Sequence, residues 1–323
     1  MKAAIETFGL TRYFHQHCVV EQLGFQVPTG KVTALLGLNG AGKTTTIRMM
    51  MGLLDPTRGR CETLGVDSRE LTPAMLSRIG YMVEGHYLSS WMRVSQMERF
   101  SAEGHAHWDG DRYRSMVEHF GISSSQRIGS LSRGQRAGVS LAAVMAADPE
   151  LLILDDPALG LDPVSRRALN ETLVDFAAGE TTDGCVRTVL LSTHLMDDVE
   201  RIADEIAVMV GGRLLVQTSL DDFLDRVQRM AFTPLRSLSN LELESNLRQT
   251  IPGLVELRFV SGQCVVCIAD VSDEVVESLA RVAAGDVETL PTSLNDLVIA
   301  YLTTQRSESF AVSTSSLALA DES

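Results

Sequence analysis

The stretch Lys31–Leu54, KVTALLGLNGAGKTTTIRMMMGLL, decides how the rest of this 323-residue chain is read. KVTALL has the apolar run of a buried strand, and KTTTIRMMMGLL has the composition of a helix. Between them Gly37–Thr44, GLNGAGKT, fits G-x-x-x-x-G-K-[ST], the pattern of a loop that cradles phosphate. Strand, glycine loop and helix together aim successive backbone N–H groups at phosphate oxygens, and the positive end of the helix adds to the attraction. Gly40 and Gly42 allow the backbone to wrap closely, with Leu38, Asn39 and Ala41 completing the loop. Lys43 is expected at the β- and γ-phosphates. The Thr44 hydroxyl is expected at Mg²⁺, and Thr45 at a neighbouring phosphate.

A second stretch, Leu151–Pro163, LLILDDPALGLDP, ends a greasy run on two adjacent acids. It reads as a short buried strand that stops at Asp155 and Asp156, before the turn-forming Pro157 and Gly160. Ligands of open parallel sheets bind at the carboxyl ends of the strands, so the pair suggests a metal-and-substrate site. A helix-capping or turn aspartate pair is the competing reading.

Working outward, AIETFGL, VVEQLGFQV and KVTALLG read as strands. From Leu71 to Gly129 helical periodicity replaces them, which predicts an inserted helical subdomain at about 71–135. Strands alternating with helices return at LLILDD, VRTVLLSTH and IAVMVGGRLLVQT, the pattern of a mostly parallel α/β sheet. A first domain over 1–218 is expected, then a linking helix in SLDDFLDRVQRM and a small α/β domain over 219–303. Residues 304–323 are serine-rich and read as a disordered tail. Cys264 and Cys267 form a C-x-x-C, but three residues apart on a strand they face opposite sides, so two half-buried cysteines are expected rather than a metal or redox pair.

The formal charge of −14 argues against binding nucleic acid or anionic lipid through a basic face. Five scattered cysteines do not read as a secreted disulfide framework. No run of about 18 apolar residues suggests a membrane span, and Glu6 interrupts what a leader peptide would need as an apolar core.

LSRGQ at Leu131–Gln135 lies shortly before LLILDDP, and STH at Ser192–His194 ends the next strand. With these in order after the phosphate loop, the chain resembles the nucleotide-binding subunits of ABC transporters from about Leu10 to Thr218. The fold implied is the P-loop ATPase core with an inserted helical subdomain, followed by a small C-terminal α/β accessory domain. The resemblance implies ATP and Mg²⁺ as cofactors and a second ATPase subunit, a homodimer, as partner. A separate transmembrane permease is also implied, placing the subunit at the cytoplasmic face of the inner membrane. Each ATP would lie between one copy's phosphate loop and the other's signature, where Ser132, Gly134 and Gln135 meet the γ-phosphate. Arg133 departs from the commoner glycine. Phe14, or alternatively Tyr13, would stack on adenine, and Asp162 would cross the dimer interface.

The same resemblance places Asp155 as the Mg²⁺ carboxylate and His194 as the switch histidine. Glu84 stands where glutamine is common and would contact the metal or its water. Asp156 stands where a glutamate usually polarises the attacking water, one methylene short. Hydrolysis is therefore expected to be slow, with a degenerate ATP-dependent clamp as the alternative.

Overall fold

Alternating burial along the first strands gives a long antiparallel pair, β1 (Ala3–Phe14) and β2 (His17–Pro28). The computed structural model describes residues 3–85, 87–105, 107–235 and 239–303. The tail expected at 304–323 lies outside the described residues. Strand β3 (Val32–Leu36) is buried at every position, as a strand covered on both faces must be, and it runs into helix α1 (Lys43–Met50). β4 (Arg58–Thr63) and β5 (Val66–Asp67) then join the first pair in an antiparallel sheet ordered β2-β1-β4-β5.

α2 (Pro73–Leu76) and β6 (Ile79–Met82) precede the inserted helices α3 (Val94–Glu103), α4 (Gly110–His119) and α5 (Arg133–Ala146). β7 (Leu151–Asp155), α6 (Pro163–Ala177), β8 (Thr188–Thr193) and α7 (Met196–Ile202) follow. Strands β3, β8, β7 and β6 lie side by side in that order, all parallel. β6 corrects the helical subdomain expected from about residue 71. The four residues Ile79–Met82 carry little strand signal, and pairing with Leu151–Leu154 is what holds them extended. One core joins Val94, Tyr113 and Leu141 of the inserted helices to Leu152, Leu154, Val189 and Leu191 of the sheet, so the insert is packed onto the strands that carry the acids.

Asp148, at the turn after α5, ties this packing together. Its Oδ1 accepts from Arg112 Nη1 at 3.1 Å and Arg187 Nη2 at 2.5 Å, and its Oδ2 accepts from the Thr182 N–H and hydroxyl at 2.7 Å each. Burial would raise this carboxyl, but the Thr182 donors, Arg187 and Arg112 more than offset that and hold it down at about 2. A carboxyl held below its ordinary value stabilises the fold above pH 4, and that contribution, about 2 kcal/mol, is lost as the pH falls from about 4 toward 2. Asp148→Asn also strands the buried Arg187 and is expected to cost about 3 kcal/mol at pH 7. Urea unfolding at pH 7 and pH 3 checks this, the gap between variant and wild type narrowing at the lower pH.

The chain divides into two compact units, residues up to 205 with 211–213, and residues 206–210 with those from 214 onward. The division therefore falls within the hairpin of β9 (Glu205–Val210) and β10 (Arg213–Ser219), ahead of the boundary expected at 218. In the second unit α8 (Leu220–Arg226) leads to β11 (Val227–Phe232), α9 (Asn240–Thr250), β12 (Leu254–Val260), β13 (Gln263–Ala269), α10 (Asp273–Val282), β14 (Glu288–Thr289) and α11 (Leu294–Thr303). Its sheet runs β12-β13-β11-β14, antiparallel throughout.

Two expectations are corrected in this unit. The helix read in SLDDFLDRVQRM stops at Arg226, and Val227–Phe232 pairs with Cys264–Ala269 as a strand. Cys264 and Cys267 are fully rather than half buried, because β13 is an inner strand and both its faces are covered. Cys264 packs among Leu243, Leu247 and Leu279, whereas Cys267 faces away from that cluster. Burial pushes the two thiols up to about 11 and about 12, which suppresses thiolate chemistry at neutral pH.

Candidate nucleotide site

The loop after β3 reaches α1 through two glycines with left-handed backbone, Gly40 at φ 82° and Gly42 at φ 102°. Gly42 caps α1 without any side-chain bond, so the first N–H groups of the helix are left for an anion. Lys43 is 7% exposed, and its Nζ donates to the carbonyls of Gly37 at 2.8 Å and Leu38 at 3.3 Å. Burial lowers its pKa, while Asp156, Asp155 and Glu84 pull it back up. The three acids thus act on the same ammonium.

All three line one cleft of about 370 Å³ with Asn39, Gly40, Gly42, Lys43, Thr44 and Thr45. The structure therefore brings the phosphate loop and the acids together as expected. Val19 on β2 also lines the cleft. Nothing in its sequence context marked it, since it is one valine in an ordinary strand.

Asp155 ends β7 and is 1% exposed; its Oδ1 accepts from the Ser192 hydroxyl at 2.7 Å, and its Oδ2 is buried with no partner. Asp156, 6% exposed, has left-handed backbone at φ 49°. Its N–H donates to the Ser192 Oγ and to the Ser192 carbonyl, each at 3.1 Å. His194 Nδ1 lies 3.0 Å from Asp156 Oδ2, and Asp156 Oδ1 is buried and unpaired. A carboxylate only accepts, so the ring donates from Nδ1 and keeps Nε2 for another partner. Neither acid caps a helix, and each keeps one buried carboxylate oxygen without a hydrogen-bond partner.

The signature residues form a different cluster. Ser132 caps α5: its hydroxyl accepts from the Gln135 N–H, and Gln135 Oε1 accepts from the Ser132 N–H, each at 3.1 Å. Asp162 caps α6, accepting from Val164, from the Ser165 N–H and from the Ser165 hydroxyl. The two caps adjoin, for a Cβ at Gly134 would collide with Ser165 Oγ. Arg133 packs its side chain onto Gly160, in the turn between Asp156 and α6. None of these residues lines the cleft around Lys43. Phe14 is exposed at the end of β1, with the Arg12 guanidinium over its ring at 4.7 Å. Tyr13, also exposed, has its phenol raised mainly by a hydrogen bond with Cys18.

Residues 20–159 match the ABC transporter family. Over 228 residues the chain is 30% identical to the bacitracin transport ATP-binding protein BcrA of Enterococcus faecalis, a match covering 70% of this chain and 72% of that one. The chain belongs to the ATP-binding subunits of ABC transporters. This ABC ATPase is also 34% identical over 221 residues to the daunorubicin/doxorubicin resistance ATP-binding protein DrrA of Streptomyces peucetius, covering 66% of this chain and 64% of that one. Its structure matches an ATP-binding subunit of an ABC transporter at 28% identity and a TM-score of 0.61, over 69% of this chain and 92% of that one. A dimeric bacterial ABC transporter cassette matches at 17% identity and a TM-score of 0.59, covering 67% and 98%, which shows shared fold.

Among its described residues the ABC subunit has no helix long and apolar enough to cross a membrane. Nor do they include a group of three or more His, Cys, Asp or Glu side chains able to hold a metal. Mg²⁺ takes one or two carboxylates and completes its shell with phosphate and water. The free, buried Asp155 Oδ2 beside Thr44 fits that role.

Proposed function

We propose that this ABC subunit pairs with a second copy around two ATP molecules and hydrolyses them to drive a separate membrane permease from the cytoplasmic face of the inner membrane. The observation carrying the proposal is the separation of two half-sites. The cleft holds the phosphate loop and the acids, with His194 bonded to Asp156, while Ser132, Gly134, Gln135 and Asp162 cluster elsewhere on the same unit. Two copies placed head to tail satisfy both. Relatives named for bacitracin transport and for daunorubicin/doxorubicin resistance support export as the direction. The degenerate-clamp alternative finds no support in relatives named as transport subunits.

In this reading the Gly37–Thr45 loop binds the phosphates, and Lys43 exchanges its two carbonyl partners for β- and γ-oxygens. Phe14 stacks on adenine. Thr44, Asp155 and Glu84 would hold Mg²⁺, which when bound neutralises phosphate charge. Asp156 Oδ1 takes the proton side of the attacking water, and His194, oriented by Asp156 Oδ2, meets the γ-phosphate through Nε2. Ser132 and the first N–H groups of α5 close over that phosphate from the second copy.

The test is light scattering with saturating ATP and Mg²⁺ on a slowly hydrolysing variant, where a dimer is expected. Ser132→Ala is expected to leave ATP binding to the single chain unchanged while reducing dimer formation and turnover about tenfold, the worth of one lost phosphate donor. A chain that stays monomeric at saturating ATP, alone and with its permease, overturns the proposal.

A further inference from the structure

We infer that Ser192 is a positioning residue that couples the cation ligand Asp155 to the hydrolytic carboxylate Asp156 through one buried hydroxyl. The inference rests on the nucleotide reading above and deepens it by naming a fully buried residue that bridges the two acids. Ser192 is fully buried on β8, directly across the parallel ladder from Asp155 on β7. Its hydroxyl donates to Asp155 Oδ1 at 2.7 Å and accepts from the Asp156 N–H at 3.1 Å.

A serine hydroxyl has a single hydrogen. Spent on Asp155, it leaves the oxygen only as an acceptor, which the Asp156 N–H occupies. The bridge therefore has one sense and holds both acids in one arrangement. With Oδ1 taken, Asp155 has only its buried, unpaired Oδ2 to offer a cation. The Asp156 N–H, held by the Ser192 hydroxyl and carbonyl together, anchors a residue whose left-handed backbone needs support. His194, two residues further along, takes Asp156 Oδ2. The end of β8 thus sets both acids, and a shift in Asp155 on meeting a cation is felt at Asp156 through the shared hydroxyl.

The experiment measures binding of a fluorescent ATP analogue to the full chain in EDTA and across a Mg²⁺ titration, with hydrolysis followed in parallel. Ser192→Ala is expected to raise the Mg²⁺ needed for half-maximal effect by about 10- to 100-fold, leaving Mg²⁺-free binding unchanged. Ser192→Thr, which keeps the hydroxyl, is expected to restore the wild-type Mg²⁺ dependence. In an Asp155→Ala background, Ser192→Ala should add no further shift in Mg²⁺ dependence. If Ser192→Ala does not fold, Ser192→Cys, similar in size but a weak donor, carries the same test. Wild-type Mg²⁺ dependence in a folded Ala or Cys variant overturns the coupling. So does a loss of binding that is equal with and without Mg²⁺, the mark of a purely structural role. A wild-type chain that binds no ATP overturns the nucleotide reading itself.

Discussion

Lys43→Ala is expected to weaken ATP binding by on the order of a hundredfold, about 3 kcal/mol, because it removes a desolvated charge from a cleft that keeps its acids. Lys43 is the cation that Asp155, Asp156 and Glu84 share, and without it the cleft repels the triphosphate. In the ligand-free chain its Nζ is satisfied by Gly37 and Leu38, so the variant should still fold. Titration with a fluorescent ATP analogue, beside a thermal melt, separates lost binding from lost structure. Binding within a few-fold of wild type in the folded variant would show that the phosphates lie elsewhere.

The second large effect is expected at Asp156. Asp156→Asn keeps the size of the side chain and an acceptor for His194 Nδ1 but removes the charge that polarises water. ATP binding should persist, and single-turnover hydrolysis should fall by about a hundredfold or more. Asp156→Glu restores the missing methylene and is expected to match or exceed wild-type turnover.

The backbone at this position suits aspartate. At φ 49° the residue is left-handed, a conformation that aspartate and asparagine tolerate better than longer side chains. The glutamate variant should therefore gain reach and lose stability, by about 1 kcal/mol. Stopped-flow phosphate release and urea unfolding on the same preparations measure both. Should Asp156→Asn hydrolyse ATP at the wild-type rate, Asp156 is not the group that activates water.

Local chemistry explains what was legible beforehand. GLNGAGKT declares its own structure, since glycines, lysine and threonine at that spacing work only between a strand and a helix, and the structure places them there. LLILDD read as a short strand ending on its acids, beside a capping or turn pair, and the structure decides for the strand: Leu151–Asp155 are buried in succession and Asp155 closes it.

What the sequence by itself determined is thus the phosphate loop, the acid pair and the alternating core. Each depends on residues adjacent along the chain. Tertiary structure alone decided that Ile79–Met82 is a strand, that Val227–Phe232 leaves its helix, and that both cysteines of β13 are covered. It also decided that the hydroxyl of Ser192 spans two aspartates 36 and 37 residues away. In each case the deciding partner is distant in sequence. A strand of weak propensity is stabilised by the ladder it joins, and a hydroxyl acquires a direction only from the acids it meets.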